Sequence, residues 1–142
     1  MLLALCLCSA AIHAQSIAFE LKTDPDSPIV FVNYSPSIFR TGASRREFVT
    51  VKNVSGRALA ALIFQQTVSD GSRQEILAIE RVSVVFGVHE AKRLSVSVDD
   101  AWSYSRGPGK PSAAASRPTL SVVAVEFLDG STWSAPVARA ER

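Results

Sequence analysis

Two histidines and two cysteines are the whole stock of imidazole and thiol in this 142-residue chain. A hydrolytic triad or a Cys–His dyad needs a base held beside its nucleophile, and zinc needs several His or Cys ligands at once. Cys6, Cys8 and His13 all fall within the first fourteen residues, MLLALCLCSAAIHA, so His89 stands alone in the remainder. It sits in Gly87-Val88-His89-Glu90, where a connection between strands is expected, and reads as an exposed turn residue. Carboxylates are more plentiful. Asp24 with Asp26, and Asp99 with Asp100, are pairs on which a calcium site could draw, but calcium wants a shell of about six to eight oxygens. Asp also bonds its own backbone in turns, which is the role expected here. Glu80, Glu90 and Glu126 offer carboxylate pairs of the kind used in glycoside hydrolysis, as any acid-bearing β-rich chain does by chance. Gly107-Pro108-Gly109 opens no helix and so is no phosphate loop. The expectation is a non-enzyme with no catalytic residue, no metal and no cofactor.

Binding chemistry is better represented. Trp102 and Tyr104, two residues apart on an extended segment, point the same way and form the kind of platform on which a sugar or a protein partner stacks. The plainer alternative is that they close one end of the core. Arg106, Lys110 and Arg117 make the following loop basic, suited to an acidic partner or simply to solvation. Trp102, Tyr104, Arg106 and Lys110 are therefore the candidate ligand- or partner-binding residues. Asn33-Tyr34-Ser35 and Asn53-Val54-Ser55 match the glycosylation triplet, a match read as chance.

The elements that must position these residues are strands. Short stretches rich in β-branched and aromatic residues are punctuated by Gly, Asp, Asn, Ser and Pro, the pattern of an all-β domain. Ser16–Lys22 alternates Ile17, Phe19 and Leu21, and is broken by Asp24–Pro28. Ile29–Tyr34 and Arg46–Asn53 follow, the latter with Val49 and Val51 on one face. Ala58–Val68 is apolar on both faces at first, as a strand covered on both sides would be. Glu75–Arg81 and Val82–Val88 read as two strands, although EILAIERV also carries helical spacing. Leu94, Val96 and Val98 alternate with polar residues, and Thr119–Leu128 and Ser131–Val137 form a hairpin across Asp129-Gly130. A three-residue loop ending in a left-handed Gly130 sets Trp133 opposite Val125, on one face with Val123 and Phe127, where the indole can be buried. Ser105–Pro118, dense in Gly, Pro and Ser, reads as a mobile surface loop. Eight or nine strands without a long amphipathic helix imply a two-sheet sandwich of immunoglobulin-like size.

The first fourteen residues lead to the expectation that this domain lies outside the cytoplasm. Residues 1–14 are uncharged and apolar through Ile12 and end in small residues, as the core and cleavage site of a secretory signal peptide do. The run is shorter than the roughly 20 residues a bilayer-spanning helix needs. Cleavage after Ala14 leaves residues 15–142 without a thiol, hence without disulfides. Leu5 and Leu7 precede the two cysteines, where a lipoprotein signal would want a small residue. A net charge of +2 with 20% charged residues is too slight for nucleic acid or an anionic membrane surface.

VTVKNVSGRAL at Val49–Leu59, followed by VAVEFLDGSTW at Val123–Trp133, resembles bacterial secreted immunoglobulin-like domains of the adhesion-related and fibronectin-like kinds. In such domains a valine-rich strand ends in Asn, turns through Ser-Gly and is balanced by a final Asp-Gly hairpin. The likeness implies a fold and no catalytic residues, and it departs from antibody domains in lacking a cysteine pair. The functional expectation is a secreted or periplasmic immunoglobulin-like β-sandwich that binds another envelope or extracellular protein, with no membrane span in the mature chain. A carbohydrate-binding module using Trp102 and Tyr104, with an envelope polysaccharide as partner, and a structural subunit that donates or accepts a strand are the alternatives.

Overall fold

The structure, a computed structural model, describes residues 19–35, 40–41, 44–69, 74–98 and 118–136. Within them the chain is all β, in nine strands: β1 (Glu20–Lys22), β2 (Ile29–Ser35), β3 (Arg40–Thr41), β4 (Ser44–Asn53), β5 (Leu59–Ser69), β6 (Gln74–Phe86), β7 (Ala91–Val98), β8 (Thr119–Phe127) and β9 (Thr132–Ser134). One sheet runs β8-β5-β6, with β1 and β9 both paired to β8. The other has β4 at its centre, flanked by β2 and β7, with the two-residue β3 on β4 as well. All described pairings are antiparallel except that of β1, which runs parallel to β8 from Glu20↔Thr119 to Lys22↔Ser121.

The core lies between the sheets and follows the period of two. Val49 and Val51 of β4, Leu94, Val96 and Val98 of β7, and Phe64, Leu62 and Leu59 of β5 are all buried in one cluster with Ile29, Phe86, Leu120, Val125 and Phe127. Glu47 takes the same face of β4, fully buried opposite Val96, a place the strand's alternation dictates whatever the residue's charge. The apolar start of β5 is buried on both faces. Against β8, β5 carries one extra residue between Leu59 and Ala61, which keeps Leu59 and Leu62 on the core face, while Ala61 is buried on the other face beside its partners Glu126 and Ser83.

Two expectations are corrected. Residues 75–88 do not form two strands: β6 runs unbroken for 13 residues from Gln74 to Phe86. EILAIERV lies inside it, because pairing with β5 from Leu59 to Ser69 satisfies its backbone in a sheet and overrides the helical spacing. In the final hairpin Trp133 does pair with Val125, and Gly130 is left-handed with φ 84°. Val122, rather than Val123, shares the core face, since the register of β8 against β5 skips Val123 between Phe64↔Val122 and Ile63↔Ala124.

Candidate interaction site

Trp102, Tyr104, Arg106 and Lys110 lie outside the described residues, as do Asp99, Asp100 and the stretch 105–117. His89 is exposed in the turn between β6 and β7, with φ 60°. Asp24 behaves as a turn residue, its side chain accepting from Asp26 N at 3.0 Å and its carbonyl from Ser27 N. The three glutamates are each engaged separately. Glu90 accepts from Gly87 N at 2.6 Å, which holds its carboxyl below the ordinary range. Glu126 is lowered chiefly by its hydrogen bonds from Arg81, whose own pKa is raised by the same contact. Glu80 binds between the two sheets.

That last contact is part of how the sheet edges are finished. An edge strand presents unpaired N–H and C=O groups, a template for another strand unless something blocks it. The edge of β8 is covered by β1 and β9. On β2 the register slips between Phe31 and Asn33, and the Asn33 side chain takes the N–H of Tyr34 at 2.8 Å. On β7 the blocking is done by side chains. Glu80 Oε2 accepts from Ser97 N at 2.7 Å, Gln66 Nε2 donates to Ser97 O, and Arg46 reaches past β7, donating to Ser95 O at 3.1 Å and to Glu80 Oε1 at 3.3 Å. β7 is thus closed by an Arg46–Glu80 clamp.

β6 is finished differently. It is the longest strand described, and no described strand pairs with its outer edge. Ile76, Leu77, Ala78 and Ile79 run without a charge, Ile76 being 55% and Ile79 62% exposed. The charges that follow are turned away: Glu80 onto β7, and Arg81 back across the sheet onto Glu126 of β8. Toward its end β6 is capped where Lys92 donates to the carbonyl of Val85. Sequence reasoning missed this edge because a period-two stretch does not say whether a strand is central or terminal. Its one signal was the uncharged Ile76–Ile79 run itself.

The outer face of the same sheet is concave. A groove of about 540 Å³ has Gln65, Thr67, Ser121 and Val123 in its lining, with Ile76 on β6 and residues 22–25 beyond β1 as walls. Gln74 Nε2 donates to Thr67 Oγ1 across it at 3.2 Å.

A second polar assembly is structural. Asn53, fully buried at the end of β4, donates from Nδ2 to Arg57 O at 2.7 Å and to Gly87 O at 3.0 Å, while its Oδ1 accepts from Ser55 N and Ser55 Oγ. A carboxamide so committed has no N–H left for a glycan, and the Asn-Val-Ser triplet is a loop device. Arg57 continues the network to Asp129 and Ser131 and lies 4.0 Å over the Phe127 ring. Hydrogen bonds from Ser131, then from Arg57, hold the Asp129 carboxyl down at about 2.

The fold and these edges define an all-β, two-sheet sandwich. Comparison with protein-family models, with curated proteins and with solved structures returns no match. Among the described residues no helix is long and apolar enough to cross a membrane.

Proposed function

We propose that this chain is a secreted or periplasmic, non-catalytic interaction module with an immunoglobulin-like sandwich, and that it binds an extended strand of an envelope or extracellular protein along β6. The order β2-β4-β7 opposite β6-β5-β8-β9 supports the immunoglobulin-like assignment. The observation that carries the binding reading is the contrast between edges: β8 is covered, β2 is side-chain capped, β7 is clamped, and β6, although it carries an extra residue at Leu77, has no described strand on its outer edge and is apolar over Ile76–Ile79. Strand addition there takes its affinity from main-chain hydrogen bonds and its specificity from alternate side chains. The test is capture. Immobilised wild type and an Ile76→Lys, Ile79→Lys variant of checked folding are incubated with envelope and secreted fractions. A defined protein retained by the wild type and lost from the variant supports the reading, and equal retention by both overturns it.

The groove favours one second reading, an envelope polysaccharide. Carboxamides and hydroxyls such as Gln65, Thr67 and Ser121 beside Ile76 and Val123 suit a neutral sugar, which pairs hydroxyls with polar groups and lays a C–H face on an apolar wall. Titration calorimetry with cell-wall oligosaccharides, comparing wild type with Gln65→Ala, checks it: heat lost in the variant supports a sugar site.

A further inference from the structure

We propose that the outer face of the β2-β4-β7 sheet carries a binding site for an acidic polysaccharide, in which Arg93 takes a sugar carboxylate and Lys52 and Thr50 flank it. The site lies on the opposite sheet from β6 and the groove, and rests on neither of the readings given to them. Strand alternation puts it there. Val49 and Val51 of β4 and Leu94 of β7 are buried, so Phe48, Thr50, Lys52 and Arg93 take the other face. Pairing on both sides of β4 then sets Asn33, Thr50 and Arg93 in one row across three strands. Lys52 follows two residues on from Thr50, about 7 Å along the strand, and both Lys52 and Arg93 are exposed.

Charge marks this face. Among the described residues Arg46, Arg57, Arg81 and Lys92 each lie within 3.3 Å of a carboxylate oxygen, whereas Lys52 and Arg93, diagonal neighbours across β4 and β7, are paired to no described carboxylate. Two like charges so placed repel, and an anion bound between them relieves the repulsion. Arg93 is also held ready, its guanidinium carbon lying 4.2 Å from the centre of the Phe48 ring. A guanidinium resting on an aromatic ring keeps the N–H donors around its rim free, and their fork matches the two oxygens of a carboxylate. Arg46, further along β4, is already engaged by Glu80 and Ser95.

A polysaccharide suits this face better than an acidic peptide. The backbone of β4 is paired on both sides, so the face offers side chains and no main-chain partner, and a peptide laid on it would leave its own N–H and C=O groups unmatched. A sugar chain carries its polar groups as hydroxyls, which pair with the Thr50 hydroxyl and with Nδ2 of Asn33, whose Oδ1 is taken by Tyr34 N. Val32, next to Asn33 and 58% exposed, gives an apolar surface to the C–H face of a ring. A net charge of +2 draws in no polyanion from a distance, so selection is by contact.

The test is titration calorimetry of the purified protein with polygalacturonate oligomers, each variant first checked for folding by circular dichroism. Wild type is expected to bind with a saturating heat, and Arg93→Ala and Lys52→Ala each to weaken binding by about tenfold. Arg93→Lys keeps the charge but loses the fork, and Phe48→Leu keeps the arginine but loses its support; each is expected to weaken binding by about threefold or more. Lys22→Ala, which removes one positive charge from the other sheet, and Gln65→Ala, in the groove, are expected to bind as wild type does. A wild type that binds no polygalacturonate, an Arg93→Ala variant that binds unchanged, or an equal loss in Lys22→Ala, the mark of unspecific attraction, would overturn the proposal. So would a loss confined to Gln65→Ala, which moves the sugar to the groove, or tighter binding to polyglutamate or to phosphatidylglycerol vesicles, which makes the partner a peptide or a membrane.

Discussion

Asn53 carries more of this structure than its size suggests. Its carboxamide satisfies backbone groups from the β4–β5 loop and from the β6–β7 turn, so it joins two connections at the same end of the sandwich. Asn53→Ala strips these bonds, leaving the Arg57 carbonyl with Ser55 Oγ and the Gly87 carbonyl with Glu90 N as their remaining donors. The expected loss is about 2–3 kcal/mol in urea unfolding, whereas Val54→Ala, at a neighbouring exposed position, should lie within about 0.5 kcal/mol of wild type. Asp129 acts through pH. Its folded pKa of about 2 lies below the ordinary 3.8, so its contribution to stability is fully present above 3.8 and is lost as pH falls from there through 2. In Asp129→Asn the fall of the urea midpoint between pH 4 and pH 2 should be shallower than in wild type, and an identical slope would refute the assignment. At this scale the sequence was legible in part. Asn53-Val54-Ser55-Gly56 was readable as a turn, but Gly87, the partner that ties Asn53 to a second connection, lies 34 residues away.

Among the elements, the final hairpin and the edge strand β6 make opposite points. The hairpin was readable locally, because a left-handed glycine and a half-buried indole together allow one register. Gly130→Ala forces a side chain into φ 84° with open space around it, so the cost is conformational alone, about 1 kcal/mol in thermal or urea unfolding. β6 was readable as extended chain but not as one strand, and not as an edge. Its state depends on β5 lying on one side and nothing described on the other. The clamp on β7 gives the matching prediction. Glu80→Ala removes the acceptor for Ser97 N–H and the anchor for Arg46, so the β7 edge is exposed. Light scattering during heating should then show earlier aggregation than wild type, with Arg46→Ala giving the same change in weaker form.

For the whole molecule, the sandwich is held by a core drawn evenly from both sheets. Phe64 lies at its middle, fully buried and tilted against Phe31 of the opposite sheet at a centroid distance of 6.4 Å. Phe64→Ala should cost about 3–5 kcal/mol and bring the domain near its unfolding limit at room temperature. Far-ultraviolet circular dichroism through a urea titration would check it. The opposite holds at Ile79, on the same sheet but on its outer edge, where Ile79→Lys should leave unfolding within about 0.5 kcal/mol of wild type. One sheet therefore separates residues that make the fold from residues available for a partner.

The sequence by itself determined the all-β character of the described residues, the inward facing of Val49 and Val51 on β4 and of Leu94, Val96 and Val98 on β7, and how the last hairpin is closed. Those properties follow from period-two alternation and from the few conformations open to a two- or three-residue turn, both local constraints. Only the tertiary structure decided which strands are edges, that Glu47 is buried, that Arg46 and Glu80 meet across the sheets, and that Ile76 and Ile79 stand exposed. Each of these depends on which strand lies beside which, and that is set by contacts between segments dozens of residues apart, to which a local pattern is blind.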